Sequence, residues 1–351
     1  MSRALAVTGM AARTSLGDAV SAAAAARAGL ARPAPLERTT FDEDEGDVPV
    51  TGHPVPTVTG FQGEARLLAL LGPVLEELSA PAGTTATERI ALLVAVPDLD
   101  QRGRESGATP ARVPGFVERL VARTGAKIPA ELRHIFPGRT GVARALQAAR
   151  ELLAQGRVEA CLVGAVDSLC DDLAVDALAA GGRLKTPDNP VGCQPGEAAV
   201  ALRVETAEEA RRRQTRVLAR VGALGLAREP RSGDRPPVGE GLLAAFQALG
   251  DAEPAGGGGT FLVLDRNGET GRASDWGHCV VRLRQRGLPL SEAPTWDPAI
   301  SFGDTGAASA ALGAVLAMRG FARSYAPGTS AVVVSSGEDG ERSAVRLHRN
   351  A

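Results

Sequence analysis

Aromatic side chains are scarce in this sequence: Phe, Trp and Tyr together make up 3% of its 351 residues. A core with so few rings has to be built from Ala, Val and Leu, and 44% hydrophobic residues suffice for that. Long apolar runs are missing too. None reaches bilayer-spanning length, and the opening MSRALAVTGM reads as a strand followed by glycine, not as the apolar segment of a leader. An excess of either charge is also lacking. With 39 Lys and Arg against 41 Asp and Glu the formal net charge is −2, which argues against nucleic acid as the main partner. Cys161, Cys170, Cys193 and Cys279 show neither zinc-ligand spacing nor a paired pattern and suit a reducing compartment. His53, His134 and His348 are scattered, so no metal site is expected. These absences predict a cytoplasmic, soluble chain without a cofactor, interacting with neither nucleic acid nor membrane. Its length allows one two-lobed domain or two ordinary ones.

What is present centres on residues 136–168, FPGRTGVARALQAARELLAQGRVEACLVGAVDS. Val142, Ala145, Leu146, Ala149, Leu152 and Leu153 recur at helical spacing, with Arg144, Gln147 and Glu151 opposite. Gly156 supplies the stop, and 160–166 runs apolar as a strand covered on both faces does. A second stretch repeats this unit. Thr140-Gly141 opens the first helix and Gln155-Gly156 closes it; Thr305-Gly306 and Arg319-Gly320 bracket another, and an apolar strand follows each, 160–166 and 331–334. The repeat predicts two similar halves about a pseudo-two-fold axis; chance likeness of two Ala-rich helices is the alternative.

Along the rest of the chain the pattern predicts a strand at 4–8 with a loop from Gly9 to Asp18, a helix over 20–29, and an irregular Pro-rich, acidic excursion over 31–60. A helix over 61–78 and a buried strand over 90–96 come next, then a loop over 97–115 and a short helix over 116–123. A helix over 171–180 precedes a turn-rich loop over 181–196 and a strand over 198–204. Interleaved charges over 205–216 read as an exposed helix. A strand within 211–226, a loop over 228–237, a helix over 238–249, a glycine joint at 256–259 and a strand over 260–265 follow. In LDRNGETGRASDW, Asn-Gly and Glu-Thr-Gly read as tight turns, with Trp276 as anchor. Strands and helices alternating in two matched halves imply a layered α/β fold.

The sequence resembles the beta-ketoacyl synthases of the thiolase-like superfamily over nearly its whole length. AVTGMAARTSLGDAV resembles the family's opening strand and loop, QGRVEACLVGAVDSL the segment after the nucleophile helix, and GGRLKTPDNPVGCQPGEAAVALRVE the following loop with its Gly196-Glu197 step. ISFGDTGAASAALG resembles the second histidine motif and VSSGEDGERSAVRL the Gly-rich loop near the C-terminus. The resemblance implies duplicated βαβαβαββ halves in five layers (αβαβα), here 1–204 and 205–351. It also implies dimerisation through the strand after the nucleophile helix, 160–166. Family members condense acyl thioesters with a Cys at a helix N-terminus, where dipole and backbone N–H groups favour thiolate, and two His residues that stabilise the enolate.

At the matching positions those groups are absent. The nucleophile falls on Arg139, the first His-Gly motif on Asn267-Gly268, the second His motif on Gly303-Asp304, the Lys on Ala299 and the pocket-gating Phe on Glu338. Arg139 and Asp304 hold equivalent places before the two Thr-Gly helix starts, so they are expected to meet as a central ion pair; the alternative is that Arg139 points into a pocket and binds an anion. Cys193 lies in a loop beside Gln194 where its thiol could be exposed, with no His nearby in sequence, Cys161 is expected in the core, and the side chains of His278 and Cys279 are expected to diverge. Asp167, Asp171 and Asp172 read as a cap and solvated surface. Arg139, Asp304 and Glu338 are therefore candidate binding residues, with no catalytic residue assigned. The function expected is that of an inactive ketosynthase-like protein acting by protein binding: a homodimer, or a heterodimer with a ketosynthase-like protein, with acyl carrier protein or a secreted effector as further partners. The alternative is an acyltransferase or decarboxylase acting on acyl thioesters with a non-standard site.

Overall fold

A computed structural model describes residues 5–79, 88–230, 236–250 and 258–350. Two of the glycines expected at the 256–259 joint and residues 231–235 of the expected loop lie outside the described residues. The first half runs β1 Leu5–Thr14, β2 Gly17–Asp18, α1 Ala19–Arg27, β3 Ala34–Asp42, β4 Gly46–Gly52, α2 Gly63–Ser79, β5 Ile90–Val96, α3 Leu99–Ser106, α4 Phe116–Thr124 and β6 Arg133–Pro137. It continues through α5 Gly141–Ala154, β7 Ala160–Ser168, α6 Asp172–Ala180 and β8 Glu197–Thr206. After α7 Ala207–Arg212 come β9 Ala219–Arg228, α8 Glu240–Gln247, β10 Thr260–Val263, α9 Thr270–Gln285, β11 Thr295–Trp296, α10 Ala299–Phe302, α11 Ser309–Ala322, β12 Ser330–Ser336 and β13 Glu341–Arg349.

One strand order occurs twice. The first sheet is ordered β6-β5-β7-β8-β1 and the second β11-β10-β12-β13-β9. In each, the second strand lies parallel to both neighbours, whereas the fourth is antiparallel to the strands flanking it. The sheets join where Leu5, Ala6 and Val7 of β1 pair with Val221, Arg220 and Ala219 of β9. Helices α5 and α11 pack between the sheets and on each other, with α2 outside the first sheet and α8 and α9 outside the second. This is the duplicated five-layer α/β arrangement. Being covered on both sides explains why α11 is apolar nearly all round. Gly313 matters there, since a Cβ at that position would fall 2.9 Å from Val263 Cγ1.

Several expectations need correction. The excursion over 31–60 contains the hairpin β3–β4, and its acidic run is the turn: Asp42 Oδ1 accepts from Asp44 N and Glu45 N, both at 2.9 Å. The loop over 97–115 contains α3, capped by Asp98 (Gln101 N to Oδ1, 2.9 Å) and closed by Gly107 in the left-handed region. Strand β1 does not stop at Thr8; it passes a bulge between Val7 and Gly9 and continues to Thr14. In place of an exposed helix over 205–216, Glu205 is a buried part of β8 and only the six residues of α7 are helical. The Glu-Thr-Gly read as a turn opens α9, which carries Trp276 against Phe246, ring centroids 6.3 Å apart. Strand β7 is paired on both sides, by β5 and β8, and has no free edge for a second subunit. Among the described residues the free edge of the first sheet belongs to β6, a strand the apolar pattern does not reveal because RHIFP has no alternation.

Candidate functional site

The two halves meet at the starts of α5 and of the helical segment leading into α11. Gly138, at φ +87°, turns the chain out of β6 so that Arg139 stands immediately before the α5 N-terminus. Asp304 follows α10 and precedes the second helical start. Its Oδ1 accepts from Gly306 N at 2.9 Å, so the carboxylate caps that segment. The two side chains face each other: Arg139 Nη1 donates to Asp304 Oδ1 at 2.6 Å and Nη2 to Oδ2 at 2.7 Å, the bidentate geometry of a strong guanidinium–carboxylate pair. Both are buried.

The pair lies in a larger network. Arg139 Nε donates to Glu338 Oε1 at 2.9 Å, and the same oxygen accepts from Arg183 Nη2 at 2.9 Å and Arg272 Nη2 at 3.0 Å. Asn267 Nδ2 donates to Asp304 Oδ2 and to Glu269 Oε2, both at 2.6 Å. Arg183 Nε reaches Glu269 Oε1 at 2.6 Å, and Arg272 Nη1 reaches Asp265 Oδ2 at 2.8 Å. Three guanidiniums and four carboxylates therefore satisfy one another, as buried charges must. The structure thus brings together Arg139, Asn267, Asp304 and Glu338. Ala299, at the expected Lys position, instead begins α10.

Arg183, Glu269, Arg272 and Asp265 were not foreseen as site residues. Arg183 comes from a loop without periodicity, and the other three flank an Asn-Gly turn that hides the start of α9. The exposure left open for Cys193 is decided by the structure: its thiol is buried, with Sγ 3.5 Å from Asp304 Oδ2. Burial pushes this thiol well above its ordinary value, and the Asp304 carboxylate adds to the effect. That is the reverse of the cationic setting that activates a nucleophilic cysteine. Asp167 is likewise buried, not solvated. It holds Arg102 through two 2.8 Å bonds and accepts from Ala307 N at 2.7 Å. Gly306 makes this possible, because a Cβ there would fall 1.9 Å from Asp167 Oδ2. Asp171 is a buried cap, bonded to Leu173 N at 3.1 Å and Gly63 N at 2.6 Å.

Burial works to raise the Asp304 carboxyl, but the Arg139 charge outweighs it and holds the group well below the usual carboxylate range. Glu338 follows the same pattern: burial opposes ionisation, while Arg272, Arg139 and Arg183 pull it from 4.5 to about 2. A carboxyl depressed in the folded state binds fewer protons than in the unfolded chain, so acid favours unfolding. Glu338's contribution should be complete above pH 4.5 and lost as the pH falls toward about 2. Urea midpoints followed across that interval should fall, and Glu338→Gln should flatten part of the fall. An equal slope in the variant would contradict the assignment.

Beside the network a cleft of about 180 Å³ is lined by Arg139, Thr140, Arg144, Asp167, Arg183 and Glu338 among others. Arg139 turns its hydrogen-bonding edge to carboxylates of the chain itself. No group of His, Cys, Asp and Glu able to hold a metal ion occurs among the described residues, and no helix among them is long and apolar enough to cross a membrane.

No protein-family model matches the sequence, and no curated protein does. Solved structures do match. The ketosynthase from module 6 of the bacillaene synthase of Bacillus subtilis 168 superposes with a TM-score of 0.76 at 13% identity, over 99% of this chain and 72% of that one. A chain from a type II polyketide synthase complex, an acyl-carrier protein with its ketosynthase bound to the hexaketide, gives 0.78 at 16% identity over 100% of both chains. An oxazolomycin ketosynthase domain from Streptomyces albus JA3453 gives 0.74 at 16%, over 99% of this chain and 74% of that one. The chain has the thiolase-like fold of ketosynthases.

Proposed function

We propose that this chain is a catalytically inactive ketosynthase-like protein that acts by binding other proteins. The observation that carries the reading is the bidentate Arg139–Asp304 pair at 2.6 and 2.7 Å, where the resemblance places a nucleophilic Cys and a His. A guanidinium whose pKa lies well above its ordinary value cannot act as a nucleophile or give up a proton, and an ionised carboxylate held by it is a poor base. On this reading residues 1–204 and 205–351 are two thiolase-like halves of a cytoplasmic protein. Arg139, Asp304 and Glu338 bind one another across the halves, not an acyl chain.

The free edge of β6, with Ile135 exposed, supplies unpaired backbone groups for a second subunit, a copy of this chain or an active ketosynthase. An acyl-carrier protein, seen with its ketosynthase in one structural neighbour, is the next partner to consider. A secreted effector served by an adaptor or chaperone is another. The cleft beside Arg139 favours the alternative reading, an acyltransferase or decarboxylase of acyl thioesters with an unfamiliar residue set.

The test is affinity purification of the tagged chain from its native host with mass spectrometry of what accompanies it. The proposal expects a stoichiometric protein partner whose recovery drops when Ile135→Asp charges the β6 edge. An active ketosynthase or carrier protein would mark a partner subunit, and an effector or secretion component an adaptor. Recovery of the chain alone would count against binding as its function and favour the enzyme reading.

A further inference from the structure

A groove of about 510 Å³ is lined by Ala23, Ala26, Arg27, Trp296, Ile300 and Tyr325 among others. It shares no residue with the cleft at Arg139. In a chain with 3% aromatics, rings are concentrated here. Trp296 and Tyr325 stack with centroids 6.0 Å apart at 30°, and Phe261 backs Trp296 at 4.6 Å. The rings rest on α11 at Gly320, where a Cβ would meet Trp296 Cη2 at 2.8 Å and Tyr325 Cε2 at 3.4 Å. The platform is therefore closely packed from behind. Ile300, 72% exposed, stands at its rim as the most exposed large apolar side chain described.

The charge of the groove is one-sided. Asp297, the carboxylate in its lining, is already held by Arg266, with Nε at 2.7 Å. Arg27 has its guanidinium carbon 4.6 Å above the Tyr325 centroid and makes no ion pair among the described residues. Arg319, next to Gly320 but outside the groove's lining, has its Nε buried without a hydrogen-bond partner among the described residues. Tyr325 is near both cations, since each favours its ionised form, although burial prevails and raises its pKa. A guanidinium stacked on a ring keeps its in-plane N–H groups free, and these match a carboxylate edge. The volume is that of a small-molecule site, with a largely apolar lining and Arg27 as the charge in it not already paired.

We propose that this groove binds a planar aromatic carboxylate, its ring against Trp296 and Ile300 and its carboxylate on the free edge of Arg27. The test titrates the full chain with 2-naphthoate, by calorimetry and by ligand-observed NMR, alongside two controls: 2-naphthalenemethanol, which keeps the ring without the charge, and cyclohexanecarboxylate, which keeps the charge without the aromatic ring. The proposal expects saturable one-site binding of 2-naphthoate, roughly tenfold weaker binding of either control, and a similar loss in Arg27→Gln. Ile300→Asp, which places a negative charge at an exposed rim position, should reduce binding at least as much. Both substitutions are at exposed sites, so a loss of binding with unchanged unfolding midpoint reports on the groove. Absence of saturation by both methods, equal binding of either control, or unchanged affinity in Arg27→Gln would overturn it.

Discussion

Removing either member of the central pair alone should destabilise the protein by about 3–5 kcal/mol, because each substitution leaves the other charge buried. In Arg139→Met, Asp304 keeps the Asn267 Nδ2 and Gly306 N donors, at 2.6 and 2.9 Å, and the weak Cys193 Sγ donor at 3.5 Å, none of them charged. In Asp304→Leu, Arg139 keeps Glu338 but loses both charged bonds from its Nη atoms. The double variant removes both charges together and should be less damaged than the sum of the singles, with a coupling energy of about 1–3 kcal/mol. Denaturant unfolding of the four proteins gives the cycle. Additive losses would mean that the contact contributes little, and a neutral Arg139→Met would mean that the guanidinium is not locked as its geometry implies.

The second large effect is on the thiols. All four cysteines are buried. Burial pushes Cys161 and Cys279 up to about 12 and raises Cys170 and Cys193 well above their ordinary value. At neutral pH a thiol with a pKa of about 12 carries roughly a thousandth or less of the thiolate of a free cysteine. Alkylation of the native protein by iodoacetamide should therefore be at least about 10³-fold slower than that of the unfolded chain, followed for each cysteine by peptide mass spectrometry. Cys193 is the informative site, since it alone lies against the central network. Its modification at the rate of a free thiol would show an accessible nucleophile that the structure does not contain.

The parts of this fold that were legible in the sequence were those whose burial leaves a period. Strand β5 is legible because IALLVAV is buried on both faces, and α5 because its apolar stripe faces the sheet while Gln147 and Glu151 face solvent. The repeated Thr-Gly helix starts carried the duplication. The hairpin β3–β4 was not legible, since its turn is made by side-chain bonds from Asp42 within a run of charges that resembles an excursion. Strand β6 is short and at an edge, where no alternation is required.

The site divides along the same line. Arg139 and Asp304 could be paired because the repeat places them equivalently, and their contact needs no more than two helix starts facing each other. Arg183, Glu269 and Arg272 could not, because their meeting depends on how the loop over 181–196 crosses the start of α9. The burial of Cys193 was not legible for the same reason. Of the backbone bonds that bury it, Cys193 N to Arg183 O at 2.6 Å folds the loop back on itself, and Asp304 N to Gln194 O at 2.8 Å ties that loop to a segment far away in sequence.

The central claim is that charge pairing has replaced acyl transfer at the junction of the two halves. The most direct test is the intact mass of the purified chain after incubation with an acylated carrier protein, under conditions where an active ketosynthase becomes loaded. The mass should remain that of the unmodified protein, with none of Cys161, Cys170, Cys193 or Cys279 acylated. A stoichiometric acyl adduct on any residue lining the Arg139 cleft would contradict the claim and make the alternative enzyme reading the better account.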